Sequence, residues 1–266
     1  MSVRAKNLLE PQPKTQIAGQ LVYYEEVISP RLRYPRDIIV WLPPSYARRQ
    51  NKRYPVLYAH DGQNLMDPTT AFLGRDWQLD EIATELIRKK KIHEIIIVGI
   101  YNTPERLKEY SGSSKGRAYA EFIVKELKPF MDDVYRTDRA NTGVIGSSMG
   151  GLISFYLTWW YPEVFPRAAC MSTSFLWNRQ HAVREVLNYT GRKKRIKLYL
   201  DVGEKEPLLL PAFIDMVGAL REKRFRNGMD LEYHLAPAAE HSEPDWSKRA
   251  WRPLQFLFGR SKHAIL

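Results

Sequence analysis

The stretch Gly146-Ser147-Ser148-Met149-Gly150-Gly151 constrains this chain most. A short apolar run, Thr142-Gly143-Val144-Ile145, leads into it, and an apolar run of helical character, Leu152-Ile153-Ser154-Phe155-Tyr156-Leu157, leads out. Read as G-x-S-x-G, it puts Ser148 on a sharp turn between a strand and a helix. Glycines two residues either side let strand and helix approach without a Cβ clash, so the hydroxyl can project as a nucleophile. The amide of Met149, at the start of the helix, then points where an oxyanion would form. The bare pattern also fits an ordinary glycine-rich turn, and it is the strand–turn–helix setting that favours a nucleophile.

The rest of the chain supplies the strands and helices such a turn needs. Leu21 to Ile28 and Asp37 to Leu42 read as two strands, antiparallel at a sheet edge, and Tyr54 to Ala59 as a third. Ile95-Ile96-Ile97-Val98-Gly99-Ile100 has the unbroken apolar character of a strand buried on both faces. Further strands are expected at Thr142 to Gly146, Arg167 to Ser172, Arg195 to Gly203 and Leu231 to Leu235. Helical spacing covers Gln78 to Lys90, Tyr119 to Phe130, His181 to Tyr189, Pro211 to Phe225 and Trp246 to Phe258. Asn102 to Gly116 reads as a polar loop. Alternating strands and helices imply an α/β fold with a mostly parallel central sheet covered on both faces. With no repeat or linker, the division is an extended arm over residues 1–18, one domain over 19–260 and a tail over 261–266.

A nucleophilic serine needs a base, and the base needs an orienting carboxylate. In the order Ser, acid, His, the base falls in the loop after the last strand, where His241 stands. His60 precedes the nucleophile and would break that order, while His93, His181, His234 and His263 lie in a connector, a helix start, a strand and a tail. For the acid, the loop after Leu198 to Val202 offers Asp201, Glu204 and Glu206. Glu206 is preferred because it lies far enough into the loop to turn back toward His241, with Asp201 second. A second oxyanion amide should follow the third strand, where Asp61-Gly62-Gln63 places the Gln63 N–H.

Composition excludes other classes. No apolar run approaches the ~20 residues of a membrane span. The lone Cys170 rules out an internal disulfide and a cysteine metal cluster. The start, Met1-Ser2-Val3-Arg4-Ala5-Lys6, lacks the apolar core of a secretory signal, so a cytoplasmic protein is expected unless a leader has been removed. The net charge of +11 comes with basic runs at Lys89 to Lys91, Arg192 to Arg195 and Arg221 to Arg226, at helix ends and before strands. These read as a solvated face complementing helix dipoles, so neither a nucleic-acid nor a membrane partner is expected.

Several separated stretches, in order over roughly residues 20 to 260, together resemble the esterase family of α/β-hydrolases. They are Tyr54 to Asn64, Trp77 to Glu81, Ile97 to Asn102, Arg106 with Glu109-Tyr110, Gly146 to Gly151, Asp201 to Glu206, His241 with Trp246, and Leu254 to Phe258. That family includes enterochelin and bacillibactin esterases, feruloyl esterases, S-formylglutathione hydrolases and mycolyltransferases. The resemblance implies an α/β-hydrolase fold and a serine carboxylesterase with Ser148 as nucleophile, His241 as base, Glu206 as acid, and oxyanion amides at Gln63 and Met149. It implies a small-molecule ester substrate, with no metal and no other cofactor. Members often carry Asp as the acid, whereas this chain has Glu206 in Glu204-Lys205-Glu206-Pro207, which keeps Asp201 open as the alternative. Asp61, Trp77 and Tyr110 are expected at the substrate pocket, although such aromatics equally serve as packing. A siderophore or feruloyl ester, an acyltransferase and a non-catalytic binding protein are the competing readings.

Overall fold

A computed structural model describes residues 1–6, 19–72 and 74–260, with the side chains of residues 3–6 excepted. Its centre is a nine-stranded sheet. The strands are β1 (Ser2–Lys6), β2 (Gln20–Ile28), β3 (Arg36–Leu42), β4 (Tyr54–His60), β5 (Ile96–Ile100), β6 (Thr137–Ser147), β7 (Arg167–Met171), β8 (Lys197–Gly203) and β9 (Leu231–Ala236). Their spatial order is β1-β2-β3-β5-β4-β6-β7-β8-β9. The first four in that order pair antiparallel, and β5 through β9 pair parallel.

The central strands are buried on both faces, which is why they read as continuous apolar runs. All seven residues of β4 and all five of β5 are buried. Successive residues still feed opposite faces: Val56 and Tyr58 enter one core, Leu57 and Ala59 the other. The first core lies under α2 (Arg106–Glu109), α3 (Ser114–Phe122), α4 (Lys128–Val134), α5 (Met149–Trp160), α6 (Trp177–Leu187) and α7 (Leu210–Glu222). The second is covered by α1 (Leu79–Arg88), α8 (Glu243–Arg249) and α9 (Trp251–Phe258). Among the described residues, no helix is long and apolar enough to cross a membrane.

Several elements differ from the sequence expectation. The β2–β3 pair is antiparallel, but it is not the edge, because Ser2–Lys6 adds outside it. The expected arm is otherwise outside the described residues, as is the tail. β6 begins at Thr137 rather than Thr142; its polar start lacks an apolar pattern yet pairs through Tyr54 and Thr137. The loop over Asn102 to Gly116 contains α2 and the start of α3, which the Ser113 side chain caps by accepting from the Gly116 amide. From Ser114 to Val134 the helix is continuous through a π turn at Ile123–Leu127. Pro129 supplies the reason: it has no N–H to offer one turn back, and the widened turn absorbs the lost bond.

The strand order reverses between β4, which continues to β5 on one side, and β6, which lies on the other. Loops leaving the carboxyl ends of β4 and β6 therefore diverge and leave a crevice. Gly62 sits at one wall, so close to β5 that a Cβ there would lie 2.5 Å from the Gly99 carbonyl carbon. Gly146 sits at the other, where a Cβ would overlap the Gly150 backbone. Gly146→Ala should therefore lower the thermal midpoint by about 5 to 10 °C, because neither backbone can retreat. Differential scanning fluorimetry checks this, and an unchanged midpoint would show that the turn is slack.

Candidate active site

Ser148 is the single residue between β6 and α5. Its backbone is at φ 55°, ψ −121°, a conformation costing a non-glycine residue about 1–3 kcal/mol. Two hydrogen bonds impose it: the Ser148 amide donates to Met171 O at 2.9 Å, and the Ser174 amide donates to Ser148 O at 3.1 Å. The Ser148 turn is thus clamped to the end of β7 and the loop that follows. Met149 is the first residue of α5, where the opening amides lack acceptors within the helix. The Ser148 hydroxyl shares a hydrogen bond with the Ser174 hydroxyl at 3.3 Å, so its partner in this structure is Ser174 rather than His241.

His241 follows β9 and Glu206 follows β8, and the structure joins them. His241 Nδ1 and Glu206 Oε1 are 2.5 Å apart. Burial alone would raise the Glu206 pKa, but hydrogen bonds from His241, Ser172 and the Gly203 amide outweigh it and hold the carboxyl below its ordinary value. Glu206 therefore stays an acceptor, which makes Nδ1 the donor, so that in the neutral imidazole it is Nε2 that carries the lone pair. The imidazole also packs edge-on against Trp246, ring centroids 4.9 Å apart. Its side chain remains 41% exposed against 2% for Glu206, so the imidazole faces solvent and the carboxylate does not.

Asp201 is wholly buried and otherwise engaged. Arg249 Nε donates to Asp201 Oδ2 and Arg249 Nη2 to Oδ1, both at 3.1 Å. Tyr199 Oη donates to Oδ2 at 3.1 Å, and the Ser172 amide to Oδ1 at 3.0 Å. Arg249 also donates to Ser172 Oγ at 2.7 Å, as does Trp246 Nε1 at 3.0 Å. Ser172 Oγ spends its own proton on Glu206 Oε2 at 2.7 Å. Ser172, Trp246 and Arg249 therefore fix the carboxylate that fixes the histidine. Sequence reasoning gave them no such role. The one cue for Ser172 is its place at the end of a strand beside the nucleophile strand; Arg249 leaves no cue, because a helix-end arginine is ordinary.

On the β4 side, Asp61 opens the turn Gly62–Asn64 in the left-handed region, at φ 58°. Its carboxylate accepts from Arg106 Nε and Nη2, each at 2.7 Å, and from Asn102 Nδ2 at 2.6 Å. The Gln63 side-chain oxygen accepts from the Asn102 amide at 3.3 Å, so the turn is tied at two successive residues. Of the expected pocket residues, Asp61 holds the turn rather than facing outward. Trp77 is 3% exposed and packs on Trp246, and Tyr110 is fully buried between His60 and Tyr119. Neither ring has a face open to a substrate. His60 is also interior, and burial pushes its pKa down to about 3, so it stays neutral. Exposed apolar side chains stand elsewhere in the same end loops: Phe72, Leu176, Trp177 and Leu208.

Among the described residues, one acidic group is close enough to share a cation: Asp76, Asp80 and Glu81, with ligand atoms within 4.8 Å of one another. Burial, with Glu81 beside it, pushes Asp76 up to about 6, which relieves the repulsion without an ion.

Fold and site together define an α/β-hydrolase. The family described as "Putative esterase" matches residues 29–254, and the chain belongs to that family. It is accordingly a hydrolase acting on ester bonds. YjcH of Bacillus subtilis (strain 168) is 30% identical over 190 residues, which is 70% of this chain and 73% of the relative. A ferulic acid esterase structure superposes with a TM-score of 0.74 at 21% identity, covering 91% of this chain and 98% of that one. The enterobactin esterase FES from Shigella flexneri, solved in the presence of enterobactin, gives a TM-score of 0.74 at 18% identity over 92% of this chain and 59% of the other.

Glu206 ionises at lower pH in the fold than in the unfolded chain, so its stabilisation is present above the unfolded value of about 4.3 and is lost as pH falls through the folded value. Ser172→Ala should cost about 1–2 kcal/mol at neutral pH. The gap should narrow as pH falls through the depressed folded-state value of Glu206, where the carboxyl becomes neutral in the folded protein as well. Urea unfolding at neutral pH and below that value tests this, and a gap constant with pH would mean that Ser172 does not act through the ionised carboxylate.

Proposed function

We propose that the protein is a serine carboxylesterase working through an acyl-enzyme on Ser148. The observation that carries this is the pairing of Glu206 with His241 at the end of the sheet where Ser148 stands on a strained turn. In this mechanism the ester carbonyl seats between the Gln63 and Met149 amides. His241 Nε2 takes the Ser148 proton as Oγ attacks, and Glu206 steadies the imidazolium through Nδ1–H. The two amides carry the charge of the tetrahedral oxyanion. His241 then protonates the departing alcohol, and water, activated by the same imidazole, frees the acid. Substrate binding turns the Ser148 hydroxyl from Ser174 toward His241, a contact that tightens only in the bound complex.

The apolar side chains at Phe72, Leu176, Trp177 and Leu208 favour a small-molecule ester with a bulky apolar or aryl group. The relatives named for ferulic acid and enterobactin esters suit that reading.

Ser148→Ala should lower turnover of p-nitrophenyl esters at least about a thousandfold. Glu206→Gln should lower kcat by about a hundred to ten thousandfold with the fold intact. Asp201→Asn should instead mainly lower the unfolding midpoint, because it weakens a buried ion pair. Equal activity of Ser148→Ala and wild type sinks the mechanism, and the reverse pattern for the two carboxylates reassigns the acid.

A double substitution, Trp177→Ser with Leu208→Ser, should raise KM for aryl esters about tenfold while leaving that for acetate esters within a factor of two or so. Steady-state kinetics on both esters reads this, and equal KM changes would remove these side chains from the substrate site.

A further inference from the structure

The end of the sheet remote from Ser148 is built differently. Lys89 to Lys91 lie between α1 and β5, Arg167 and Lys197 begin β7 and β8, and Arg221 to Arg226 lead to β9. All of these mark the amino ends of the parallel strands, whereas Ser148, Glu206 and His241 follow carboxyl ends.

Four open cavities there share wall residues, so they form one continuous surface. Their walls carry fifteen Lys and Arg side chains against three carboxylates, Glu222, Asp230 and Glu232, a net of +12. The whole chain carries +11, so all of its excess positive charge lies on this face and the remainder sums to −1. Helix-dipole compensation accounts for a few of these cations and not for their confinement to one end. Large apolar side chains break the same surface: Trp251 is 41% exposed and Met229 57%.

We propose that this face docks on an anionic lipid bilayer, leaving the catalytic end turned toward soluble substrate. Lys and Arg clusters are drawn to acidic headgroups, and an exposed indole beside them settles at the headgroup level. The geometry favours lipid over single-stranded nucleic acid, which needs free aromatic faces for base stacking. Here cations already sit over the rings: Lys193 Nζ lies 4.9 Å from the Phe225 centroid, Lys194 4.7 Å from Tyr189, Lys197 4.1 Å from Phe256, and Arg252 Cζ 4.7 Å from the half-exposed Trp251. Docking is peripheral, since no described helix could span. It amends the expectation of no membrane partner, which rested on the lack of an apolar span and on reading the basic runs as solvated.

The experiment is co-sedimentation of the full chain with phosphatidylcholine vesicles, alone or with one lipid in three replaced by phosphatidylglycerol. Wild type should pellet only with the anionic vesicles at about 0.1 M salt and be released at about 1 M. A variant reversing four exposed charges, Lys90→Glu, Lys91→Glu, Arg195→Glu and Arg226→Glu, should partition at least about a hundredfold more weakly. Its hydrolysis of a soluble ester should stay unchanged, which reports that it is folded. Trp251→Ala should weaken partitioning about threefold or more at the same salt. The proposal is overturned if wild type ignores anionic vesicles, if the reversed variant pellets as wild type does, or if an oligonucleotide of equal charge strips the protein from the vesicles.

Discussion

The Ser172 hydroxyl is the joint on which the catalytic half of this molecule turns. It accepts from Trp246 and Arg249 and donates to Glu206, while its own amide is taken by Asp201. Every group in that set is buried, so each polar atom has protein partners in place of water, and removing one leaves the others exposed to the full cost of desolvation. The network explains why the two carboxylates after β8 have different lives. Asp201 points inward to neutralise Arg249, and Glu206, five residues on, has the reach to meet His241.

The same network connects parts of the chain distant in sequence. Ser172 directly follows the strand whose last residue, Met171, clamps Ser148, and Arg249 belongs to α8 on the opposite face of the sheet. Ser148, Glu206 and His241 are thus referenced to β7 and its loop. On the other side of the crevice, Arg106 and Asn102 hold Asp61, and with it the turn that presents the Gln63 amide. Both walls are braced by buried charge rather than by apolar packing alone. That suits a site whose geometry must hold while charge develops in it.

Much of this could be read from residue pattern. Strands buried on both faces announce themselves as apolar runs, and their alternation with helices gives the fold class; the order Ser, acid, His along the chain puts Ser148, Glu206 and His241 forward as candidates, and the fold brings Glu206 and His241 into contact. What escaped has a physical reason. Thr137 to Asn141 pairs as strand through its backbone while its side chains are polar, and α2 is one turn long inside a polar loop. Trp77 and Tyr110 carry side chains equally suited to a pocket wall or a core, and only the packing of their neighbours decides. Ser172 and Arg249 act through partners far away in sequence, which no local pattern records. Charge is a similar case: a total of +11 says little until the fold gathers it at one end.

Arg249 comes last along the chain among the groups that set Glu206, after Ser172, Asp201 and Trp246, yet the setting of Glu206 is incomplete without it. A chain emerging from the ribosome would have Ser148, Glu206 and His241 synthesised before the arginine that neutralises Asp201 arrives. Until then Asp201 has donors in Tyr199 and the Ser172 amide but no cation to balance its charge. On the proposed mechanism, the site is finished by a residue of α8 that takes no part in the chemistry.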